Sequence, residues 1–229
     1  MDAQVNRLVD KTWSKYQALS PDQRLLIGIA GIPGSGKTTL SQTISQRLND
    51  RAKPGEPAIA VPMDGFHLSR ATLSALPNPS QAHARRGAAF TFDAPKYLTL
   101  VRALRSSPTT TIHAPSFDHA VKDPKEDDIA IRASHRVVVL EGNYLALDEE
   151  VWRDAAALLD EIWFVEVGAD VARRRLTARH VRAGIARDVD EADRRVTEND
   201  LVNGAEVIAR RLPVDEIILS REDDDWAHE

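Results

Sequence analysis

The chain has 229 residues, of which 42% are hydrophobic and 28% charged, with a formal net charge of −5 and no cysteine. This composition is typical of one globular α/β domain, 1–229, with a sizeable core. It excludes disulfides, Cys-based zinc sites and thiol nucleophiles, and its acidic balance gives no support to nucleic-acid binding.

The chain shows no sign of a membrane or export segment. Its longest apolar runs are a handful of residues, far shorter than a membrane span. The first ten residues include Asp2 and Asp10 and lack a long apolar core, unlike a secretory signal. A cytoplasmic enzyme is therefore expected, with a small-molecule partner, without nucleic acid or membrane, as a monomer or homodimer.

Residues 3–19 carry apolar side chains at helical spacing and predict an amphipathic helix within the N-terminal segment 1–20. Ser20-Pro21 ends it. The helix is expected to cover part of the core, and a partner-binding role is the alternative.

The next stretch is an apolar run, 25–30, that predicts a buried strand. It leads into Gly-Ile-Pro-Gly-Ser-Gly-Lys-Thr at 31–38, which matches G-x-x-x-x-G-K-[ST] at every fixed position, and a helical pattern follows. This motif is meaningful only between a strand and a helix, and both flanks are present. The alternative is a Gly-rich turn between a strand and a helix, which the match at every fixed position and at both flanks disfavours.

The residue types of this loop suit a nucleoside triphosphate. Glycines let backbone N–H groups close around phosphate oxygens, and the following helix presents its positive end. Lys37 would supply a point charge to the β- and γ-phosphates, and the Thr38 hydroxyl would contact Mg²⁺. The predicted ATP-binding residues are Gly31, Pro33, Gly34, Ser35, Gly36, Lys37, Thr38 and Thr39.

Further along, strands and helices alternate, separated by a turn at 54–57, a long loop at 69–91 with a helical turn or two, and a charged turn at 122–128. Asp190 is expected to cap the last helix, and the acidic tail 222–229 is expected to fray. The predicted strands are 58–63, 109–113, 136–140, 161–167 and 214–219, and the predicted helices are 37–51, 94–104, 148–158, 170–183 and 190–212.

This alternation predicts a mostly parallel sheet with helices on both faces, and with the motif at 31–38 it indicates a three-layer α/β/α fold of the P-loop NTPase type. A helical lid is expected at 170–188. Two acids follow predicted strands: Asp64 in MDGFH and Glu141 in LEGNY. Ligands of open α/β sheets lie at such strand ends. One acid can orient Mg²⁺ and the other can accept the proton of an attacking hydroxyl, unless each only caps a helix or pairs with an arginine.

The helix 170–183 is strongly basic, and Arg175, Arg179 and Arg182 share one face. A closing lid needs such donors to neutralise a transferring phosphoryl group. A solvated surface helix is the alternative. His67 and His119 lie in candidate ligand loops, although a lone histidine is often structural.

Taken together, these segments resemble the family of uridine kinase, phosphoribulokinase and bacterial pantothenate kinase. The resemblance rests on six segments and spans about 24–220: GIPGSGKTT, MDGFHL, RRGAAFTFDAPKY, PSFDH, VVVLEGNYL and the basic helix. MDGFHL and RHVRAG…ENDLVNG are closest to a kinase-like branch without a settled substrate, which includes proteins described as fructose-transport-system kinases and fungal kinase-like ATPases.

The resemblance implies roles for individual residues. It implies that Asp64 is the base toward the acceptor hydroxyl and that Glu141 assists Mg²⁺, so the metal contacts would be Thr38 and Glu141. Phe92 and Phe117 stand where relatives have tyrosine, which argues against uridine and pantothenate themselves. The implied catalytic residues are Asp64, Lys37, Glu141, Arg175 and Arg179, and the implied acceptor-binding residues are Asp64, His67, Arg86, Phe92, Phe117 and His119.

The predicted function is transfer of the ATP γ-phosphoryl group to a hydroxyl of a small metabolite, such as a nucleoside, sugar or vitamin-like alcohol. ATP is favoured over GTP because an Asn-Lys-x-Asp segment is absent from the sequence. One alternative is a P-loop ATPase that acts as a switch or assembly factor without a metabolite acceptor. A nucleoside-monophosphate kinase is the other.

Overall fold

A computed structural model of the chain describes residues 2–118 and 120–221. Strands and helices alternate through most of this length. The strands are β1 (Leu25–Gly31), β2 (Ala58–Pro62), β3 (Ile112–Asp118), β4 (Asp123–Ile131), β5 (Val137–Gly142), β6 (Glu161–Glu166) and β7 (Glu216–Leu219). The helices are α1 (Asp2–Ala18), α2 (Lys37–Ala52), α3 (Arg70–Ser74), α4 (Pro79–Ala84), α5 (Ala94–Ser106), α6 (Glu150–Ala156), α7 (Ala169–Arg182), α8 (Val189–Arg195) and α9 (Leu201–Ala209).

Within the described residues, five strands form one sheet in the order β2-β5-β1-β6-β7, and every neighbouring pair is parallel. The strand before the phosphate-binding motif, β1, is central and buried along its whole length. Its Gly28 lies beside Leu140 of β5 and Ile162 of β6. The carboxyl ends of β1, β2 and β5 therefore meet at one edge of the sheet, where the candidate ligand residues follow them.

Helices cover both faces of the sheet, as the alternation predicted. Alternate side chains of β1 separate the two cores: Ile27 and Ile29 pack with α1 and α2, whereas Leu26 and Ala30 pack with α5, α6 and α9. The N-terminal helix α1 buries Val5, Leu8 and Val9 in the first of these cores. The expectation that α1 covers core is confirmed. The molecule thus has the three-layer α/β/α architecture of P-loop NTPases.

Two segments predicted as a loop and a turn form a hairpin instead. Residues 115–118 continue β3, and 123–128 belong to β4, which pairs antiparallel with it outside the main sheet. The charged run KDPKEDD predicts a turn because it lacks apolar alternation. Most of its side chains face solvent on this hairpin, so the strand needs few apolar residues.

The helix predicted at 190–212 is interrupted and starts differently. Asp188, not Asp190, caps α8 by accepting a hydrogen bond from the Glu191 amide at 2.8 Å. Between α8 and α9, residues Val196–Asp200 form a π-helical turn. Such turns insert one residue into a helix and occur frequently at functional sites.

Two sequence-based expectations fall outside the described part of the chain: the acceptor contact of His119 and the fraying of 222–229. Across the residues that the structure does describe, none of the helices is both long and apolar enough to cross a membrane.

Candidate active site

The loop between β1 and α2 has the backbone shape of a phosphate cradle. Gly34 and Gly36 adopt φ angles of 76° and 90°, which side chains rarely allow. A Cβ on Gly34 would also lie 3.0 Å from the Ala172 carbonyl oxygen of α7. Only glycine there lets the basic helix α7 lie directly on the loop.

A buried acid faces the end of this loop. The Thr38 hydroxyl donates a hydrogen bond to Glu141 Oε1 at 3.1 Å, which joins α2 to the end of β5. Glu141 is only 6% exposed, and this burial raises its pKa to about 7, although Lys37 and the Thr38 hydrogen bond oppose the shift. A hydroxyl and a buried carboxylate are both oxygen ligands, and together they suit a Mg²⁺ ion bound beside a triphosphate.

Lys37 lies among charges of both signs. Desolvation lowers the pKa of Lys37, and Arg179 lowers it further, whereas Glu141, Asp64 and Asp200 favour the charged form. These acids and Arg179 come from four separate parts of the chain. The fold therefore gathers charged groups around the ammonium that the motif predicted would meet the phosphates.

Beside the loop lies a cleft of about 380 Å³. It brings together most of the predicted catalytic and acceptor-binding side chains that the structure describes. The predicted residues lining it are Pro33, Lys37, Thr38, Asp64, His67, Arg86, Phe92, Phe117, Glu141 and Arg179.

Asp64 enters the cleft from a short 3₁₀ helix, Met63–Phe66, at the end of β2. The hairpin holds this turn from behind, because a Cβ on Gly65 would come within 2.1 Å of the Pro115 carbonyl oxygen. Asp64 itself is exposed to the cleft. The position suits a carboxylate that meets an incoming ligand.

Aromatic rings form one wall of the cleft. The His67 ring lies 4.0 Å from the ring of Phe92 and 4.9 Å from that of Phe117, centre to centre. Arg86 stacks 5.5 Å from the Phe117 ring and forms an ion pair with Asp123 at 3.1 Å. These two contacts hold the Arg86 guanidinium in the aromatic wall. The predicted contact between Arg86 and the acceptor would therefore be made at this wall.

The arginines of α7 separate into different environments. Arg179 lines the cleft, whereas Arg175 lies on the other side of the loop, with Nη1 3.3 Å from the Gly34 carbonyl oxygen and 2.9 Å from Ser220 Oγ. Arg173 pairs with Asp193 of α8. The structure does not bring Arg175 to the phosphate-facing cleft, because it points toward the end of β7.

The cleft also contains residues that sequence reasoning did not assign to the site. Several of them lie in segments that contribute to the family resemblance, such as Gly87 in RRGAAFTFDAPKY and Asn143 in VVVLEGNYL. These residues are Gly87, Lys122, Asn143, Ala183, Ile185, Arg195, Asp200 and Asn203.

Asp200 is the most distinctive of these additions. It ends the π-helical turn, and burial raises its pKa although Arg195 and Arg179 oppose the shift. The nearest basic side chain, His180, has its Nε2 3.6 Å from Asp200 Oδ2. Burial and the two arginines lower the pKa of His180 to about 4, so it is neutral at physiological pH.

No cluster of three or more His, Asp or Glu side chains suited to a metal ion occurs in the part of the chain described. Mg²⁺ in nucleotide sites is usually held by one or two protein groups together with phosphates and water. Thr38 and Glu141 fit this arrangement, and the glycine cradle fits the phosphates.

Comparison with known proteins agrees with the geometry. Residues 26–194 match the model of the phosphoribulokinase / uridine kinase family. An ATP-dependent kinase-like protein, notR', of Aspergillus versicolor is 50% identical over 159 residues, which cover 68% of this chain and 92% of that protein. A Schizosaccharomyces pombe protein named "putative uridine kinase" is 39% identical and covers 90% of this chain and 86% of its own.

A crystal structure from Silicibacter sp. TM1040, described as a "putative fructose transport system kinase", has a TM-score of 0.80 at 33% identity. It covers 93% of this chain and 98% of that one. The chain belongs to the phosphoribulokinase / uridine kinase family, a family of phosphotransferases.

Proposed function

Because the chain belongs to this family, we propose that it transfers the γ-phosphoryl group of ATP to a hydroxyl of a small metabolite. The observation that carries the proposal is the shared cleft. Lys37, Thr38 and Glu141 line one part of it, and Asp64, His67 and Phe92 line another. A protein that only hydrolyses ATP needs the first group and has no need of the second.

Each group of residues in the cleft has a separate role in phosphoryl transfer. The loop amides and Lys37 bind the triphosphate, and Arg179 stabilises charge that develops on the transferring group. Mg²⁺, held through Thr38 and Glu141, would supply charge neutralisation between the phosphates. The oxygen of the acceptor hydroxyl attacks the γ-phosphorus while Asp64 accepts the hydroxyl proton, and the bond from the γ-phosphorus to the β–γ bridging oxygen breaks to release ADP.

The rings of His67, Phe92 and Phe117 exclude water from one side of the acceptor. Phe92 and Phe117 lack the hydroxyl of tyrosine, which weakens the case for uridine or pantothenate. An aromatic wall without hydroxyl groups leaves the polar contacts of the acceptor to other side chains of the cleft.

An acceptor screen tests the proposal. Purified protein with Mg²⁺ and ATP is incubated with nucleosides, sugars, glycerate, pantothenate and other vitamin-like alcohols, and ADP release is measured. At least one compound is expected to raise the rate well above that with water alone, and mass spectrometry should show the phosphorylated product. A rate that no compound raises would instead favour the ATPase switch or assembly factor.

The Asp64→Asn variant then tests the assignment of the base. It should lose about 10²–10⁴-fold in transfer rate while it binds a Mg-ATP analogue as the wild type does. The matched control is Asp22→Asn, an exposed acid before β1 and outside the cleft. Transfer by Asp64→Asn at the wild-type rate would show that another group takes the proton.

A further inference from the structure

One short segment beside the aromatic wall, Arg86-Gly87, is held through its backbone by buried side chains. Gly87 lines the cleft with a φ of 102°, which residues with side chains rarely adopt. Its carbonyl oxygen accepts a hydrogen bond from the Tyr144 hydroxyl at 2.6 Å, and its amide donates to Thr91 Oγ1 at 2.9 Å. The Arg86 carbonyl oxygen accepts from Asn199 Nδ2 at 3.0 Å. These bonds fix the path of the chain where Arg86 enters the wall.

Tyr144 is a rigid support for this segment. It lies three residues after Glu141, at the end of β5, and is fully buried. Its ring lies 5.5 Å from that of Phe92 and 5.8 Å from that of Trp152, centre to centre. Burial raises the pKa of Tyr144, so the hydroxyl keeps its proton and donates a hydrogen bond to the Gly87 carbonyl oxygen.

The second support comes from the π-helical turn and α9. Asn199, in that turn, is only 5% exposed. One turn further on, Asn203 Oδ1 accepts a hydrogen bond from Arg85 Nη2 at 2.6 Å. On the same helix, Gly204 packs so closely against the phosphate loop that an added Cβ would lie 3.3 Å from the Ile32 Cβ. This support therefore contacts the phosphate loop as well as the segment beside the wall.

The first support has the same property. Glu141, on the strand end that leads to Tyr144, accepts the hydrogen bond from Thr38 beside the phosphate loop. Each support thus connects the phosphate-binding part of the cleft with the aromatic wall. Phosphoryl transfer depends on the relative position of these two parts, and a displacement of about 1 Å can lower a rate about 10²-fold.

We propose that Tyr144 and Asn199 are positioning residues, which hold the aromatic wall at a fixed distance from the phosphate loop through the carbonyl oxygens of Gly87 and Arg86. Neither Tyr144 nor Asn199 is among the described residues that line the cleft, so both act through the wall. They belong to VVVLEGNYL and ENDLVNG, two segments of the family resemblance. The inference rests on the proposed function, because the wall is assigned to the acceptor there.

Steady-state kinetics of Tyr144→Phe test the first support. The variant keeps the ring and removes only the hydroxyl. The acceptor used is the compound that gives the highest rate in the acceptor screen. Its kcat/KM should fall about tenfold or more, while the KM of ATP and the rate of ATP hydrolysis without acceptor should stay within about twofold.

Tyr97→Phe is the matched control for Tyr144→Phe. Tyr97 is also fully buried, and its ring lies 5.5 Å from the same Trp152 ring. Its hydroxyl, however, makes no hydrogen bond to any described residue. Tyr97→Phe should therefore match the wild type in every kinetic constant.

Asn199→Ala tests the second support, with the exposed Glu198→Ala in the same turn as its control. Asn199→Ala should show the same selective loss toward the acceptor. In hydrogen exchange of the ligand-free protein, amides of 85–92 should exchange faster in Tyr144→Phe and in Asn199→Ala than in the two controls, while amides of α2 keep the wild-type rate.

The outcomes separate this inference from the proposed function. If the wild type phosphorylates an acceptor and both variants keep its kcat/KM, the inference is wrong and the proposed function stands. A loss that affects ATP and acceptor equally would mean a general structural role, and the inference would again be wrong. If the wild type phosphorylates no compound of the screen, the proposed function fails and the inference fails with it.

Discussion

At the scale of single residues, acidic side chains of the site balance the positive charges of Lys37 and Arg179. Lys37 is stabilised in its charged form by Glu141, Asp64 and Asp200, while burial and Arg179 oppose that charge. Without phosphates, these three acids offset the repulsion between Lys37 and Arg179. A triphosphate with Mg²⁺ can take over this role, which leaves the acids available for metal and acceptor.

Lys37→Ala should abolish turnover and weaken Mg-ATP binding, because the loop loses its point charge toward the phosphates. The fold should persist, because removing a partly desolvated cation takes away little packing. Binding is measured by calorimetry and folding by circular dichroism, with the exposed Lys53→Ala as control. Wild-type affinity for Mg-ATP in Lys37→Ala would refute the assignment of the phosphate site.

The sequence indicated site residues that lie in a contiguous motif or at the end of a predicted strand, and it missed residues that do not. Lys37 and Thr38 follow from one contiguous motif, and Asp64 and Glu141 follow from strand ends. Asp200, however, lines the cleft from the end of a π-helical turn between α8 and α9. A continuous helix was predicted there, and the inserted residue leaves no mark in the apolar periodicity.

At the scale of elements, sequence patterns predicted the start of β3 but not its pairing with β4 in a hairpin. The role of this hairpin is positional. The hairpin packs on the 3₁₀ turn Met63–Phe66 through Pro115 and also supplies Phe117 to the aromatic wall. Polar strands outside the main sheet need no apolar run, which explains why the sequence predicted a strand only at 109–113, at the start of β3, and neither its continuation nor β4.

This packing leads to a prediction for Gly65. An added Cβ would lie 2.1 Å from the Pro115 carbonyl oxygen, so Gly65→Ala must displace either the hairpin or the turn that carries Asp64. Transfer should fall by at least tenfold, and Mg-ATP binding should change little because the phosphate loop is not involved. Gly168→Ala is the matched control, since its Cβ would meet nothing within 4 Å. Full transfer activity in Gly65→Ala would mean that the hairpin does not fix Asp64.

The basic helix α7 is divided by its contacts into two parts. Ala172 and Leu176 lie against Gly34 of the phosphate loop, and Arg175 reaches the Gly34 carbonyl. Arg179, Ala183 and Ile185 line the cleft beyond this anchored part. Of the arginines expected to face the phosphates, Arg175 thus contacts Gly34 and Ser220 instead, whereas Arg179 lines the cleft.

A lid within 170–188 remains a prediction, and these contacts limit which part can move. Gly184 has a φ of 63° and marks the turn toward α8. Hydrogen exchange should show amides of 177–188 gaining protection with a Mg-ATP analogue, and more when acceptor is added, while 170–176 change little. Equal protection of 177–188 with and without ligand would identify α7 as a solvated structural helix.

At the scale of the whole molecule, the groups that stabilise the fold on one face of the sheet are distant from the cleft at the carboxyl ends of its strands. The core between the sheet and α1 and α2 lies away from the cleft and is supported by ion pairs of Arg7 and Lys11 with Glu216. Hydrogen bonds from Arg7 and Lys11 lower the pKa of Glu216 to about 2. The stability that Glu216 contributes is present above its unfolded pKa, near 4.5, and is lost only as pH falls toward 2. Between pH 5 and 8 this contribution is constant.

Glu141 behaves in the opposite way, which gives a prediction for the pH dependence of stability. Its pKa is about 7 in the fold and 4.5 unfolded, so the folded state holds a proton that the unfolded state releases. The contribution of Glu141 to stability therefore falls as pH rises from 4.5 to about 7 and then levels, by about 3 kcal/mol in total. Glu141→Gln lacks this contribution.

Urea unfolding of both proteins between pH 4.5 and 8.5, without nucleotide, measures the effect. The free energy of unfolding of the wild type minus that of Glu141→Gln should decrease through this range, since contributions shared by both proteins cancel. His180 is one such contribution: its pKa of about 4 makes stability rise with pH up to about 6.5. Saturating Mg²⁺ with an ATP analogue should flatten the difference, because a cation beside Glu141 favours its ionised form. Parallel profiles for the two ligand-free proteins would mean that Glu141 stays charged throughout, and its burial would then require another explanation.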